Sequence, residues 1–204
     1  MNPPVVHIVD DDASFLAAIA RLVRASGFEV RTFLSAEDFL ERRVDGVTGC
    51  VVADLHMPGI DGLDLQAALA CSDNPLPVLF LTGSGDIPSS VRAMRGGAED
   101  FLEKLAPKEK LLDAVIRALA RDALERGIRI RRQKLSALFA KLSPREIDVL
   151  GHVVQGRLNK QIAGDLCIHE RTVKLHRTAI TTKLGVPSVA ELTRLTHEAA
   201  ITFP

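Results

Sequence analysis

The sequence is short of the features that mark a membrane protein, a metal-thiolate protein or a hydrolase. No apolar run reaches the roughly eighteen residues needed to cross a bilayer. The opening MNPPVV has neither the basic segment nor the long apolar core of a secretory signal. Cysteine is scarce: Cys50, Cys71 and Cys167 are far apart, odd in number and in no CxxC pair, so all three read as reduced core residues of a cytoplasmic protein. The histidines have no metal-ligand spacing, and no Ser-His-Asp or Cys-His arrangement is suggested. His7, alternating within an apolar strand, reads as a packed or edge residue. TGSGD, from Thr82 to Asp86, lacks both GxGxxG and Walker spacing and reads as a tight turn. With no substrate pocket or nucleotide loop in sight, an enzyme is not expected.

What is present is ordinary in bulk and uneven in distribution. The chain has 204 residues, 47% hydrophobic and 25% charged, enough for two modest domains that each bury a core. The formal net charge is zero, but residues 1–107 carry 16 of the 26 acids and only 8 of the 26 bases. The remainder is correspondingly basic, with 10 acids and 18 bases. An acidic half joined to a basic half suggests two domains with different partners, the basic one suited to nucleic acid.

In the acidic half, β-branched apolar runs at Val5–Val9, Phe28–Phe33, Cys50–Ala53, Val78–Leu81 and Glu99–Leu102 alternate with helical patterns at Ser14–Ala25, Ala36–Arg43, Leu63–Ala70 and Pro88–Arg95. Another helical pattern follows the last strand. Five βα repeats predict an α/β fold, a doubly wound five-stranded parallel sheet with helices on both faces. Such folds bind ligands beyond the carboxyl ends of the strands. Asp10 and Asp11 follow the first strand, Asp54 the third, Thr82 the fourth and Lys104 the fifth, so three carboxylates, a hydroxyl and an ammonium are predicted on one edge. Adjacent carboxylates repel unless positive charge lies among them, and a divalent cation is the sharper explanation of VVHIVDDD. Asp12 is read as the N-cap of the first helix.

From Pro107 to Leu142 the pattern is helical almost throughout. Leu111, Leu112, Val115 and Leu119 form an apolar face, and Leu124, Ile128, Leu135, Leu138 and Leu142 continue it. A continuous helix and a break at Gly127 are both open, a helical linker being favoured; its basic RGIRIRRQK reads as a solvated stretch. The basic half is an all-α four-helix unit. Ser143 and Glu146 form a capping box around Pro144, and Gly156 ends that helix. Asn159 is expected to cap a second helix through Leu166. A third is expected over Glu170–Leu184, stopped by Gly185, and a fourth near Ser188. The second and third make a helix-turn-helix. On the third, Val173, Ile180 and Leu184 fall within about 40° of one another and define the buried stripe. The opposite arc holds Arg171, Lys174, Leu175, Thr178 and Thr182, with no acid, a face suited to DNA. Val189, Leu192 and Leu195 are the apolar positions of the fourth helix and fit plain core.

The strand-end residues, with CVVADLHMPGIDGLDL, LFLTGSGD and DFLEKL, resemble the receiver domain of a two-component response regulator. LSPRE, NKQIAGDL and RTVKLHRTAITTKLG are similar to the output domain of the FixJ/NarL (LuxR-type helix-turn-helix) family, so the likeness spans nearly the whole chain. It implies a receiver over 1–120, a helical linker over 121–141 and a DNA-binding domain over 142–204. It implies that Asp54 accepts a phosphoryl group from a sensor histidine kinase. Asp11, Asp54 and the backbone carbonyl of His56 are then Mg²⁺ ligands, with Asp10 acting through water. Thr82 and Lys104 bind the phosphoryl group, and Phe101 changes rotamer. By the same likeness Lys174, Leu175 and Thr178 face bases, while Lys160, Arg171, Thr172, Arg177 and Lys183 face phosphates. The partners implied are the kinase, double-stranded DNA, a second copy on phosphorylation through the fourth helix and fifth strand of the receiver, with the output domain's fourth helix as a further pairing surface, and RNA polymerase, with no membrane. One residue departs: Leu105 stands where receivers carry proline after the lysine. The bond before it is expected to be trans, with a loop of different shape and Lys104 displaced. That departure motivates the rival reading, a phosphorylation-independent regulator whose receiver serves as a docking domain.

Overall fold

The structure is a computed structural model that describes residues 3–44, 46–83, 87–199 and 201. It divides into two compact units, residues 1–126 and 127–204.

The first unit alternates strand and helix: β1 (Val5–Val9), α1 (Ala13–Ala25), β2 (Glu29–Phe33), α2 (Ala36–Arg42), β3 (Gly49–Ala53), α3 (Gly62–Ala70), β4 (Val78–Thr82), α4 (Ile87–Arg95), β5 (Asp100–Glu103) and the first part of α5 (Lys108–Phe139). The strands lie in the order β2-β1-β3-β4-β5, every pairing parallel. β1, β3 and β4 are buried along their whole length, as central strands covered on both faces must be. Because side chains alternate across a strand, the sheet feeds two cores. Val9, Phe33, Phe39, Val51, Leu65 and Phe80 pack on one face. Val6, Ile8, Leu16, Val52, Leu79 and Val115 pack on the other. This is the doubly wound sheet expected from the periodicity, its strands within a residue or two of the expected bounds. His7 is a packed residue, buried beside Phe33 and Phe39. Of TGSGD, residues 84–86 lie outside the described residues.

Anchoring of α5 explains where the unit ends. Asp122 is buried and accepts the N–H of Gly49 at the start of β3 (3.0 Å), while Arg126 donates to the carbonyls of Gly46 and Val47 (3.1 and 2.7 Å). The helix then runs through Gly127 without a break, a small cost for one glycine.

The second unit contains the end of α5, then α6 (Pro144–Val154), α7 (Asn159–Asp165), α8 (Glu170–Leu184) and α9 (Val189–Glu198). Leu135, Phe139, Val149, Leu150, Ile162, Val173, Ile180 and Leu192 share its core. The capping box at Ser143 and Glu146 is formed, with Pro144 in the first turn. Gly185 takes the left-handed conformation that ends α8, at φ 65°.

Several expectations fail for identifiable reasons. Cys50 is buried, but Cys71 and Cys167 are exposed. Cys71 is the C-cap of α3, and Cys167 occupies the turn between α7 and α8 at φ 51°, so neither lies on an inward face. Leu124 and Ile128 do not extend the buried face of α5; they are 67% and 52% exposed, because periodicity marks an apolar face without supplying a partner for it. Asn159 is the first residue of α7, not its cap. The cap position is Leu158, whose N–H is accepted by Gln161, while the Asn159 side chain accepts from Arg177 instead. On α9, Leu192 and Leu195 are core and Val189 is exposed.

Candidate functional site

The sheet brings the strand-end residues together. Parallel pairing in register places the ends of β1 and β3 side by side, and the Asp54 N–H donates to the Val9 carbonyl (2.9 Å). Asp10, one residue beyond β1, is fixed by its N–H to the Phe33 carbonyl (3.2 Å). Carboxylate oxygens of Asp10, Asp11 and Asp54 lie within 4.8 Å of one another. Asp10 and Asp54 are buried and Asp11 is exposed, so the nest opens to solvent on one side. Thr82, fully buried, ends β4, and its carbonyl accepts the Lys104 N–H (2.8 Å). The Lys104 ammonium then reaches Asp10 Oδ2 at 2.7 Å and Asp54 Oδ2 at 2.8 Å.

Leu105 does not part the lysine from the two acids. No peptide bond among the described residues is cis, and the Leu105 side chain is 95% exposed and leaves the site untouched. Phe101 is half-buried on β5, its ring centroid 6.1 Å from that of Phe80. His56 follows Asp54 by two residues, in the loop before α3.

The electrostatics are those of an under-compensated acid cluster. Burial lifts the Asp10 carboxyl above the usual carboxylate range; hydrogen bonds from Lys104 and the Asp12 N–H oppose the rise, and the Asp54 charge adds to it. For Lys104, burial works against the charge, but the bonds to Asp10 and Asp54 outweigh it and hold the ammonium above its ordinary value. One ammonium faces three carboxylates, so the nest retains negative charge. Hard, closely spaced oxygen donors of that kind fit Mg²⁺, which binds through one or two carboxylates and keeps several waters. The residues present suit the ion.

Three supporting residues escape motif reading. Glu37, in the first turn of α2, accepts the Ile60 N–H at 2.8 Å and thereby ties down the loop that carries His56. That bond holds its carboxyl below the usual range. Gly62 opens α3 where no side chain fits: a Cβ there would lie 2.4 Å from the Asp54 carbonyl oxygen and 2.9 Å from the Phe80 ring. Phe15, half-buried on α1, has the Lys104 ammonium 4.4 Å from its ring centroid. Only a hydrogen-bond pattern or a contact between distant segments reveals these roles.

In the second unit, α8 presents the face expected of it. Val173, Ile180 and Leu184 are its buried residues. Arg171, Lys174, Leu175, Thr178 and Thr182 are exposed, as is Lys160 on α7; Thr172 is half-buried. Two cationic residues are held within the unit. Arg177 donates to Asn159 Oδ1 (3.0 Å), and Lys183 pairs with Glu146 Oε2 (2.7 Å).

A parallel five-stranded sheet with an acid nest and a lysine at its carboxyl edge, followed by a helix-turn-helix with a basic exposed helix, defines a two-component response regulator. Residues 6–116 match the response regulator receiver domain, and residues 140–196 match the bacterial regulatory proteins of the luxR family. The chain belongs to the response regulators, combining a receiver with a LuxR-type DNA-binding domain, and its relatives regulate transcription. It is similar to nodulation protein W of Bradyrhizobium diazoefficiens, 42% identical over 197 residues, which covers 97% of this chain and 87% of that protein. It is also similar to the transcriptional regulatory protein FixJ of the same organism, 36% identical over 96% of each. Among solved structures, the response regulator StyR is 45% identical with a TM-score of 0.83, covering 97% of this chain and all of that one. Such a pair of domains implies a histidine kinase and DNA as partners. Among the described residues no helix is long and apolar enough to cross a membrane.

Proposed function

We propose that Asp54 accepts a phosphoryl group from the phosphohistidine of a sensor kinase, and that this shifts the protein toward a dimer that binds a two-fold DNA site and regulates transcription from the cytoplasm. The observation that carries the reading is the convergence of Asp10, Asp11 and Asp54 within 4.8 Å with the Lys104 ammonium on Asp54.

A carboxylate oxygen of Asp54 attacks phosphorus; the new P–O bond forms in line as the bond to the donor breaks and its electron pair leaves with the donor. Phosphoryl transfer depends mostly on positioning and on charge at the equatorial oxygens. Lys104 already offsets part of the negative charge around the nucleophile and follows the charge onto the phosphoryl group. The Thr82 hydroxyl, at the end of the neighbouring strand, donates to a phosphoryl oxygen, and Phe101 turns inward as Thr82 moves. Asp11, Asp54 and the His56 carbonyl would hold Mg²⁺, with Asp10 acting through water, and the bound ion would supply further positive charge to the phosphoryl oxygens. Glu37 keeps the His56 loop in place.

The added charge, about −1.5 to −2, is the switch. Moving a population from 1:99 to 99:1 takes about 5.5 kcal/mol of differential stabilisation, which dimerisation can supply. The exposed Ile87, Val91 and Met94 of α4, beside β5, support that surface as the contact. On DNA, Lys174, Leu175 and Thr178 face base edges while Lys160, Arg171 and Thr172 face the backbone. Arg177 and Lys183 reach phosphate by exchanging Asn159 and Glu146 for it. The bound dimer then acts on RNA polymerase.

The test incubates the full chain with Mg²⁺ and a small-molecule phosphodonor, and compares intact mass and DNA affinity for wild type and Asp54→Asn. A mass gain of one phosphoryl group in wild type alone, with tighter DNA binding, is expected. Equal DNA binding with no mass gain would overturn the proposal in favour of a phosphorylation-independent regulator.

A further inference from the structure

The third aspartate of VVHIVDDD sets up a contact that the phosphoryl chemistry described above does not use. Asp12 caps α1, its Oδ1 accepting the N–H groups of Ser14 (2.9 Å) and Phe15 (3.1 Å). The cap fixes the first turn of α1 and with it the Phe15 side chain, whose ring lies over the Lys104 ammonium. An ammonium has three N–H donors. Asp10 and Asp54 each take one, and the remaining side of Lys104 meets the ring face. The Lys104 backbone is tied to Thr82 and the Ala106 N–H closes the turn on the Glu103 carbonyl (2.9 Å), but the residue between is Leu105, almost wholly solvent-exposed, where a proline would stiffen the loop further.

We propose that Phe15 is a positioning residue of the phosphorylation site, its ring seating the Lys104 ammonium so that the charge stays aimed at Asp10 and Asp54. The proposal rests on Asp54 being the phosphoryl acceptor. A cation over a ring face is attracted by the ring quadrupole, and the attraction strengthens as water is excluded. Phe15 thus does from the first helix what a stiffer loop does from the fifth strand: it limits the directions in which the lysine can leave. The competing account is that Phe15 is merely packing, since it also lies against Leu16 and its neighbours in the core. A packing role needs only apolar bulk, whereas a seating role needs the ring.

The experiment compares wild type with Phe15→Leu and Phe15→Tyr in the full chain. Each is followed by thermal melting, by the rate of Asp54 phosphorylation with phosphoramidate and Mg²⁺, and by NMR of the Lys104 side chain in unphosphorylated protein. Phe15→Leu is expected to melt close to wild type, to phosphorylate about fivefold more slowly, and to lose the upfield ring-current shift of the Lys104 ε-protons. Phe15→Tyr is expected to retain both the shift and the rate. A wild-type rate in Phe15→Leu, an equal loss in both variants, or no ring-current shift in wild type would each overturn the proposal. Absence of phosphorylation in wild type, with the shift present, would instead sink the reading of Asp54 and leave the contact standing.

Discussion

Lys104 and Lys183 each drive an ammonium into a buried carboxylate, one in each unit, yet the two pairs differ in what the acid has left over. Glu146 is a single acid whose Oε2 accepts both the Ser143 N–H (2.6 Å) and Lys183 (2.7 Å). Its charge is matched, its helix capped, and nothing around it calls for a ligand. Lys104 is one cation among three carboxylates that converge from two strand ends. A buried ion pair is weak evidence of function, because desolvation offsets much of its attraction. An unbalanced one is stronger evidence, because the fold tolerates repulsion that a ligand can relieve.

Removing the amine should separate the two most sharply. Lys104→Ala leaves Asp10 and Asp54 facing each other without a cation. We expect phosphorylation of Asp54 to slow by about 100-fold, as when a transition-state donor is lost. The first unit should also weaken by about 3 kcal/mol in metal-free buffer, and added Mg²⁺ should restore part of that, read by denaturant melts with and without the ion. Lys183→Ala should leave the phosphorylation rate unchanged; an equal loss in both variants would erase the distinction.

Acid provides a second contrast of nearly the same size. His7 is 3% exposed, neither ring nitrogen has a hydrogen-bond partner among the described residues, and burial, with the charges of Arg31 and Arg43, lowers its pKa to about 4. The folded state therefore resists a proton that the unfolded chain accepts below about 6.5. The stability this withholds is fully present above pH 6.5 and lost as pH falls toward 4, about 3 kcal/mol in all. Glu146 has the opposite kind of shift: the Lys183 bond lowers it, so its contribution is present above the unfolded carboxylate value and lost as pH falls through the lower folded one. The first unit should begin to weaken at a higher pH than the second. His7→Phe should flatten the first unit's dependence between pH 6.5 and 4, measured by melts across that range.

The smallest effect expected is that of Glu146→Ala, which deletes the capping box and the partner of Lys183. A loss of about 1–2 kcal/mol confined to the second unit follows, with no change in Mg²⁺ binding or in Asp54 phosphorylation. A titration of the variant with Mg²⁺ by calorimetry checks the second half of that statement.

The two units were legible in the sequence by different signals. Helix punctuation in the basic half is dense, and α8 runs from Glu170 to Leu184 with Val173, Ile180 and Leu184 inward, as spacing alone predicted. Strand ends in the acidic half were equally plain, because a parallel sheet forces Asp10, Asp54, Thr82 and Lys104 to a common edge. What escaped was whatever depends on a partner distant in sequence. Asn159 looks like a cap until Arg177 takes its oxygen. Leu124 and Ile128 look like core, though both are exposed. Cys167 looks like core until the turn places it at a positive φ. The hold of Glu37 on Ile60 and of Phe15 on Lys104 leaves no local pattern at all. The trans bond before Leu105 was correctly expected, and Lys104 reaches Asp10 and Asp54 with that residue beside it.

Gly62 bears on how this chain can vary. Its missing side chain lets α3 start against the carbonyl of Asp54, so even a methyl group there would part the helix from the strand it follows. Asp64, exposed two residues on in α3, is open to drift, and a library randomised at 62 and 64 should return glycine at 62 from almost every surviving clone while 64 diversifies.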